Sequence, residues 1–84
     1  MVDVLLTPNA QQQFDDLPAV VKERMRSLFR RLARWPAVSG VKPLSGNLAG
    51  SFRLRTGDYR LRFHLRGQAV IVDTIGHRKD VYDD

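Results

Sequence analysis

The sequence predicts an α+β fold in a single domain spanning 1–84, in the order β-α-α-β-β-β, with two N-terminal helices packed on one face of a small, mainly antiparallel sheet. Three observations carry this: an apolar stripe of helical period over residues 21–32, a switch to period two from Ser51, and a length of 84 residues, too short for two cores.

Val2-Asp3-Val4-Leu5-Leu6 is apolar and β-branched without a helical period, and it reads as the first strand. Thr7-Pro8 ends it and begins a helix: threonine suits the N-cap, and proline suits the first helical position, where its missing N–H costs nothing. That helix runs to about Leu17, with Ala10, Phe14 and Leu17 on its apolar face. Beyond Leu17-Pro18, Val21, Met25, Leu28 and Leu32 recur at spacings of four, three and four, which gives a second amphipathic helix through about Arg34. Lys22, Arg24, Arg26, Arg30, Arg31 and Arg34 occupy its remaining faces, as on a solvated helix surface. Trp35-Pro36 stops it, since the residue before proline is pushed out of the helical region, and Trp35 reads as a core or interface side chain.

Residues 36–50 hold Pro36, Pro43, Gly40, Gly46 and Gly50 and read as a long loop with little regular structure. From Ser51, Phe52 and Leu54 alternate with Arg53 and Arg55. After the turn Thr56-Gly57-Asp58, Tyr59, Leu61, Phe63 and Leu65 alternate with Arg60, Arg62, His64 and Arg66. One face of this hairpin is core and the other basic. Arg66-Gly67-Gln68 makes the next turn, and Ala69 to Ile75 is apolar at nearly every position, as expected of a central strand covered on both faces. Gly76 ends that strand, and 77–84 form a polar tail.

Fourteen Lys and Arg against nine Asp and Glu give a formal charge of +5, which favours an anionic partner such as nucleic acid or an acidic protein. Eleven of the fourteen are arginine, whose planar fork grips phosphate bidentately and stacks on bases. With no cysteine, neither a disulfide framework nor a thiolate metal site is available. The N-terminus lacks a signal-peptide pattern and no apolar run is long enough for a membrane helix, so the expected location is the cytoplasm.

Period two places Arg53 and Arg55 on one strand beside Arg60 and Arg62 on the next. Guanidinium groups about 5 Å apart across such a ladder repel one another unless an anion sits among them, and a phosphate would relieve that repulsion. His64 falls on the same face within reach of RNA, where it reads first as a surface histidine; Asp58 reads as turn chemistry, and Asp73 could orient a basic partner. A second group, Gly76-His77-Arg78-Lys79-Asp80-Val81-Tyr82, follows the last strand. His77 can carry a proton near neutral pH, Arg78 and Lys79 can hold phosphate, and Tyr82 can stack on a base or bond a sugar hydroxyl. This group gains meaning if it folds back beside Arg53, Arg55 and Arg60.

The segments Leu44-Ser45-Gly46, Phe52-Arg53-Leu54-Arg55, Gly57-Asp58-Tyr59-Arg60-Leu61 and Ile75-Gly76-His77-Arg78-Lys79-Asp80-Val81-Tyr82 together resemble the RelE/ParE superfamily of toxins from bacterial toxin–antitoxin pairs, and its RelE branch most closely. The resemblance covers the chain in element order. It implies a microbial RNase fold and ribosome-dependent, metal-independent and cofactor-free cleavage of messenger RNA, held off by a cognate antitoxin. Carried over by position, it assigns Arg53, Arg55, Arg60, Arg78 and Tyr82 to the catalytic set. Arg62, His64 and Lys79, basic or titratable residues beside that set in the sequence pattern, are the expected RNA contacts. RelE-like members often carry lysine where Arg53 and Arg55 stand; arginine stabilises charge but does not pass protons, so the general acid or base falls to His77. The alternatives are a ParE-like toxin that binds DNA gyrase, or an inactive relative that binds RNA or the ribosome without cutting.

Overall fold

The computed structural model describes residues 1–81; Tyr82, and with it one of the site assignments above, lies outside them. The elements are β1 (Asp3–Leu6), α1 (Pro8–Asp15), α2 (Ala19–Leu32), β2 (Lys42–Pro43), β3 (Ser51–Thr56), β4 (Tyr59–Arg66) and β5 (Ala69–His77), with a single 3₁₀ turn at Gly46–Leu48. They form one mixed sheet in the order β1-β5-β4-β3-β2. β1 runs parallel to β5, with Val4 opposite Val70, and the other pairings are antiparallel. The predicted α+β class and element order are those found, with β2 added.

The local signals act as the chemistry demands. Thr7 caps α1 by accepting the Ala10 N–H at 3.1 Å, and Pro8 follows it. α1 stops at Asp15, two residues before the expected Leu17. α2 buries Val21, Met25, Leu28 and Leu32, the stripe read from the sequence, and lays it against the sheet with Leu54, Leu61, Phe63, Val70, Val72 and Ile75 to make the core. Trp35 is a core side chain, its ring centroid 5.3 Å from Phe52 and 5.4 Å from Phe63.

The sequence reading is corrected at three points. First, the loop over 36–50 is more ordered than its prolines and glycines suggest: Lys42 and Pro43 pair with Arg53 and Phe52, the Leu44 N–H donates to the Ser51 carbonyl at 2.9 Å, and the Leu44 side chain is buried. Pro43 fits there because β2 is an edge strand, where a missing ladder donor is tolerated. Second, β5 is interior but not the middle strand, a place held by β4. Third, β5 is not evenly periodic. Arg62 pairs with Thr74 while Phe63 pairs with Val72, so Asp73 is an extra residue in a β-bulge. The bulge shifts the phase, which is why Val70, Val72 and Ile75 are all buried although their spacings are two and three.

α1 also covers the edge of β5 that β1 is too short to reach. The Gln13 Oε1 accepts the Ile75 N–H at 2.7 Å and the Asn9 Nδ2 donates to the Asp73 carbonyl at 3.2 Å, so this backbone is satisfied without a further strand.

Candidate nucleic-acid interface

The face of the sheet turned away from the helices carries the arginines. Across the β3–β4 ladder Arg53 stands opposite Arg62 and Arg55 opposite Arg60, and on the far side of β4 Arg60 pairs with Gly76. Directly opposed side chains start about 5 Å apart, so Arg55 and Arg60 present two guanidinium groups close enough for one phosphate to bridge. Arg55 is exposed and makes no ion pair among the described residues; Arg53 and Arg60 are half-buried.

This face is not free of acid. The bulge turns Asp73 and Thr74 toward it in succession, and Asp73 joins its neighbours in a network. Arg62 donates from Nε to Asp73 Oδ1 at 3.0 Å and from Nη2 to Thr74 Oγ1 at 2.8 Å, while Thr74 donates its hydroxyl to the same Oδ1 at 2.8 Å. His64 Nδ1 lies 2.8 Å from Asp73 Oδ2. Arg62 and His64, both read from sequence as RNA contacts, are thus held by a carboxylate rather than splayed into water. The signal for this was present in the sequence as two adjacent polar residues inside an apolar strand.

The segment after β5 folds back. A Cβ on Gly76 would stand 3.1 Å from Val81 Cγ2 and 3.8 Å from Asp80 Cβ, so a bare glycine lets the chain return closely across the strand end, where Val81 is buried against it. The return is pinned by backbone donors: Arg78 N–H to the Asp58 carbonyl at 2.7 Å, and Asp80 and Val81 N–H to the His77 carbonyl at 2.7 and 3.1 Å. Arg78 Nε also lies 3.9 Å from Asp58 Oδ1, between two well-exposed side chains. The β3–β4 turn and the C-terminal segment, distant in sequence, therefore meet beside Arg55 and Arg60. Gly57 gives that turn its first central residue at φ +59°, the conformation tight hairpins ask of glycine.

His77 stands apart from this grouping. It pairs with Tyr59 in register and its ring meets the Tyr59 ring edge-on at 5.4 Å, on the helix side of the sheet, where a hollow of about 290 Å³ is lined by Gln13, Asp16, Leu17, Pro18 and Asp80. Its Nδ1 accepts the Lys79 N–H at 3.2 Å, which leaves the hydrogen of the neutral ring on Nε2. Lys79 itself is exposed on the turn.

The comparisons with known proteins agree with this architecture. The family model described as "ParE toxin of type II toxin-antitoxin system, parDE" matches residues 4–82. Toxin RelG of Mycobacterium tuberculosis is 33% identical over 82 residues, covering 94% of this chain and 93% of its own. The toxin–antitoxin complex RelBE2 of the same organism matches with a TM-score of 0.81 at 30% identity, over 94% of this chain and 93% of that one. The isolated RelE toxin of Escherichia coli shares the fold, with a TM-score of 0.77 at 15% identity over 92% of this chain and 84% of its own. On the strength of the near full-length family match and the RelG similarity, this chain belongs to the RelE/ParE superfamily as a toxin of a type II toxin–antitoxin system.

Proposed function

We propose that this toxin is a ribosome-dependent messenger RNA endoribonuclease, silenced by a cognate antitoxin such as the one its relative meets in the RelBE2 complex. The observation that carries this reading is the opposed pair Arg55 and Arg60 next to the β3–β4 turn on which the folded-back Arg78 is anchored. In the proposed reaction a ribose 2′-oxygen attacks the adjacent phosphorus, the bond to the 5′-oxygen breaks, and the products are a cyclic phosphate and a 5′-hydroxyl. Arg53, Arg55 and Arg60 from the sheet, with Arg78 from the folded-back segment, stabilise the charge that builds on the five-coordinate phosphorus. Tyr82 positions the nucleotide, and Arg62, His64 and Lys79 contact flanking RNA. His77 offers its Nε2 hydrogen as a hydrogen-bond donor to the charge that builds on the departing oxygen, because Nε2 is the ring atom that bears hydrogen. No metal or cofactor enters this scheme, and a ribosomal target implies action in the cytoplasm.

Primer extension on messenger RNA after brief expression tests the proposal. Cuts at codons in the ribosomal A site, absent with Arg55→Ala, are the expected result; intact messages under growth arrest would overturn it. A second reading follows from the family model, which is that of ParE: the toxin binds DNA gyrase and the arginine face serves that contact instead. Inhibition of supercoiling by purified toxin distinguishes the two.

A further inference from the structure

We propose that His64, aimed by Asp73, is the general base of the cleavage reaction, taking the proton from the attacking 2′-hydroxyl. This rests on the nuclease reading above, which leaves the general base unassigned, and moves His64 from a flanking RNA contact into that role.

The argument turns on which nitrogen of each histidine is free. An ionised carboxylate only accepts, so the 2.8 Å contact between His64 Nδ1 and Asp73 Oδ2 places a hydrogen on Nδ1. In the neutral ring Nε2 then carries a lone pair and no hydrogen. His77 is fixed the opposite way, since its Nδ1 accepts from the Lys79 N–H and its Nε2 bears the hydrogen. Of the two histidines in the chain, only His64 presents Nε2 as a base.

Placement supports the same assignment. His64 belongs to the arginine face, whereas the His77 ring lies on the helix side against Tyr59. Arg53 faces Arg62 across the β3–β4 ladder and stands diagonal to His64, a separation of about 7–8 Å that a phosphodiester with its ribose can bridge. The charged groups facing His64 are Asp73 from β5, Arg53 from β3, and Arg62 and Arg66 from its own strand. Asp73 holds the ring orientation and steadies the imidazolium that forms. It is held in turn: its Oδ1 accepts from both Arg62 Nε and the Thr74 hydroxyl, so the carboxylate cannot swing away from the ring.

The step balances without a further reagent. The 2′-oxygen gives its proton to His64 Nε2 and forms a bond to phosphorus; the phosphorus–5′-oxygen bond breaks, and the departing oxygen takes a proton from solvent. The imidazolium later returns its proton to solvent. Asp73 touches no reacting atom and is a positioning residue.

Single-turnover cleavage on messenger-programmed ribosomes tests this with the intact toxin, its His64→Gln and Asp73→Asn variants, and Arg55→Ala for reference. Glutamine can still donate to Asp73 yet is no base, so a merely structural His64 would tolerate it. The proposal expects His64→Gln to keep its melting temperature and ribosome binding, to cleave about a hundredfold more slowly, and to lose the rise of rate with pH on the acid side. Asp73→Asn should slow cleavage about tenfold and keep that rise. Cleavage by His64→Gln within about threefold of the unaltered toxin, with Arg55→Ala inactive, would overturn the assignment of His64 and leave the nuclease reading intact. Absence of cleavage by the unaltered toxin would overturn both.

Discussion

The Val81 side chain lies against the bare backbone of Gly76, with Cγ2 3.1 Å from where a Cβ would stand. That contact sets the path by which Arg78 reaches the β3–β4 turn, because residues 77–81 leave the strand end and return over it. Gly76→Ala should therefore displace the return segment. A stability loss of about 1 kcal/mol is expected, near the low end for overpacking because an exposed turn can shift. The loss of toxicity should be larger than that figure explains, since it acts through the position of Arg78. Adding Val81→Ala removes the opposing methyl group, so the double variant should regain activity relative to Gly76→Ala alone. Additive effects in growth arrest and thermal melting would show that the two residues are not coupled.

Arg55 and Arg60 face each other across the ladder, and Arg55 is exposed. Arg55→Ala should leave stability within about 0.5 kcal/mol of the unaltered toxin, because it truncates an exposed side chain that packs nothing into the core. The same change should slow messenger cleavage by roughly a hundredfold to a thousandfold. Activity would then fall with stability unchanged, which a substitution acting through misfolding cannot do. Urea unfolding beside a single-turnover assay measures both.

What could be read from the sequence was what depends on near neighbours. The α2 stripe, the Thr7-Pro8 start and the alternation through Phe52 to Arg66 are properties of a few consecutive residues, and each appears in the structure as an element with the expected buried face. The parallel pairing of β1 with β5 joins residues some sixty-six positions apart, such as Asp3 and Ala69, and no local pattern announces it. The pairing of Lys42 and Pro43 with β3 was hidden for a different reason: a two-residue edge strand has no period to read. At the candidate site the arginine face was legible from alternation, but the Asp73 network required the bulge, which moves Asp73 into the company of Arg62 and His64.

Asp73 should also matter to stability. Its side chain and that of Arg62 are each more than three-quarters buried. Asp73→Ala strands the partly buried Arg62 guanidinium and removes the bond to His64, so a loss of about 1–3 kcal/mol is expected by thermal or urea unfolding. Arg62→Met in the Asp73→Ala background should cost much less than it does alone, because the cation no longer has its carboxylate to lose.

In the core, Phe63 is fully buried and stacks on Phe52 with ring centroids 5.3 Å apart while Trp35 meets it edge-on. Phe63→Ala should cost about 3–5 kcal/mol, a large share of the stability of so small a domain, and lower the melting temperature correspondingly. Phe63→Leu should cost less, since it keeps most of the volume. Equal melting temperatures for the two variants would contradict this packing.

His77 gives the sharpest contrast with His64, because the two rings are fixed in opposite tautomers. With Nδ1 occupied by the Lys79 N–H, His77 offers RNA a donor at Nε2 and nothing that can accept a proton. Truncation to alanine removes that donor and should slow cleavage about a hundredfold, the scale set by loss of one hydrogen bond to developing negative charge. Glutamine restores an N–H at similar reach, so His77→Gln should remain within about tenfold of the unaltered toxin. The matching change at His64 should abolish most activity, because there the lone pair is what matters. A His77→Gln variant as slow as His77→Ala would mean that the ring itself gains or loses a proton, and that the Lys79 N–H gives way when substrate binds.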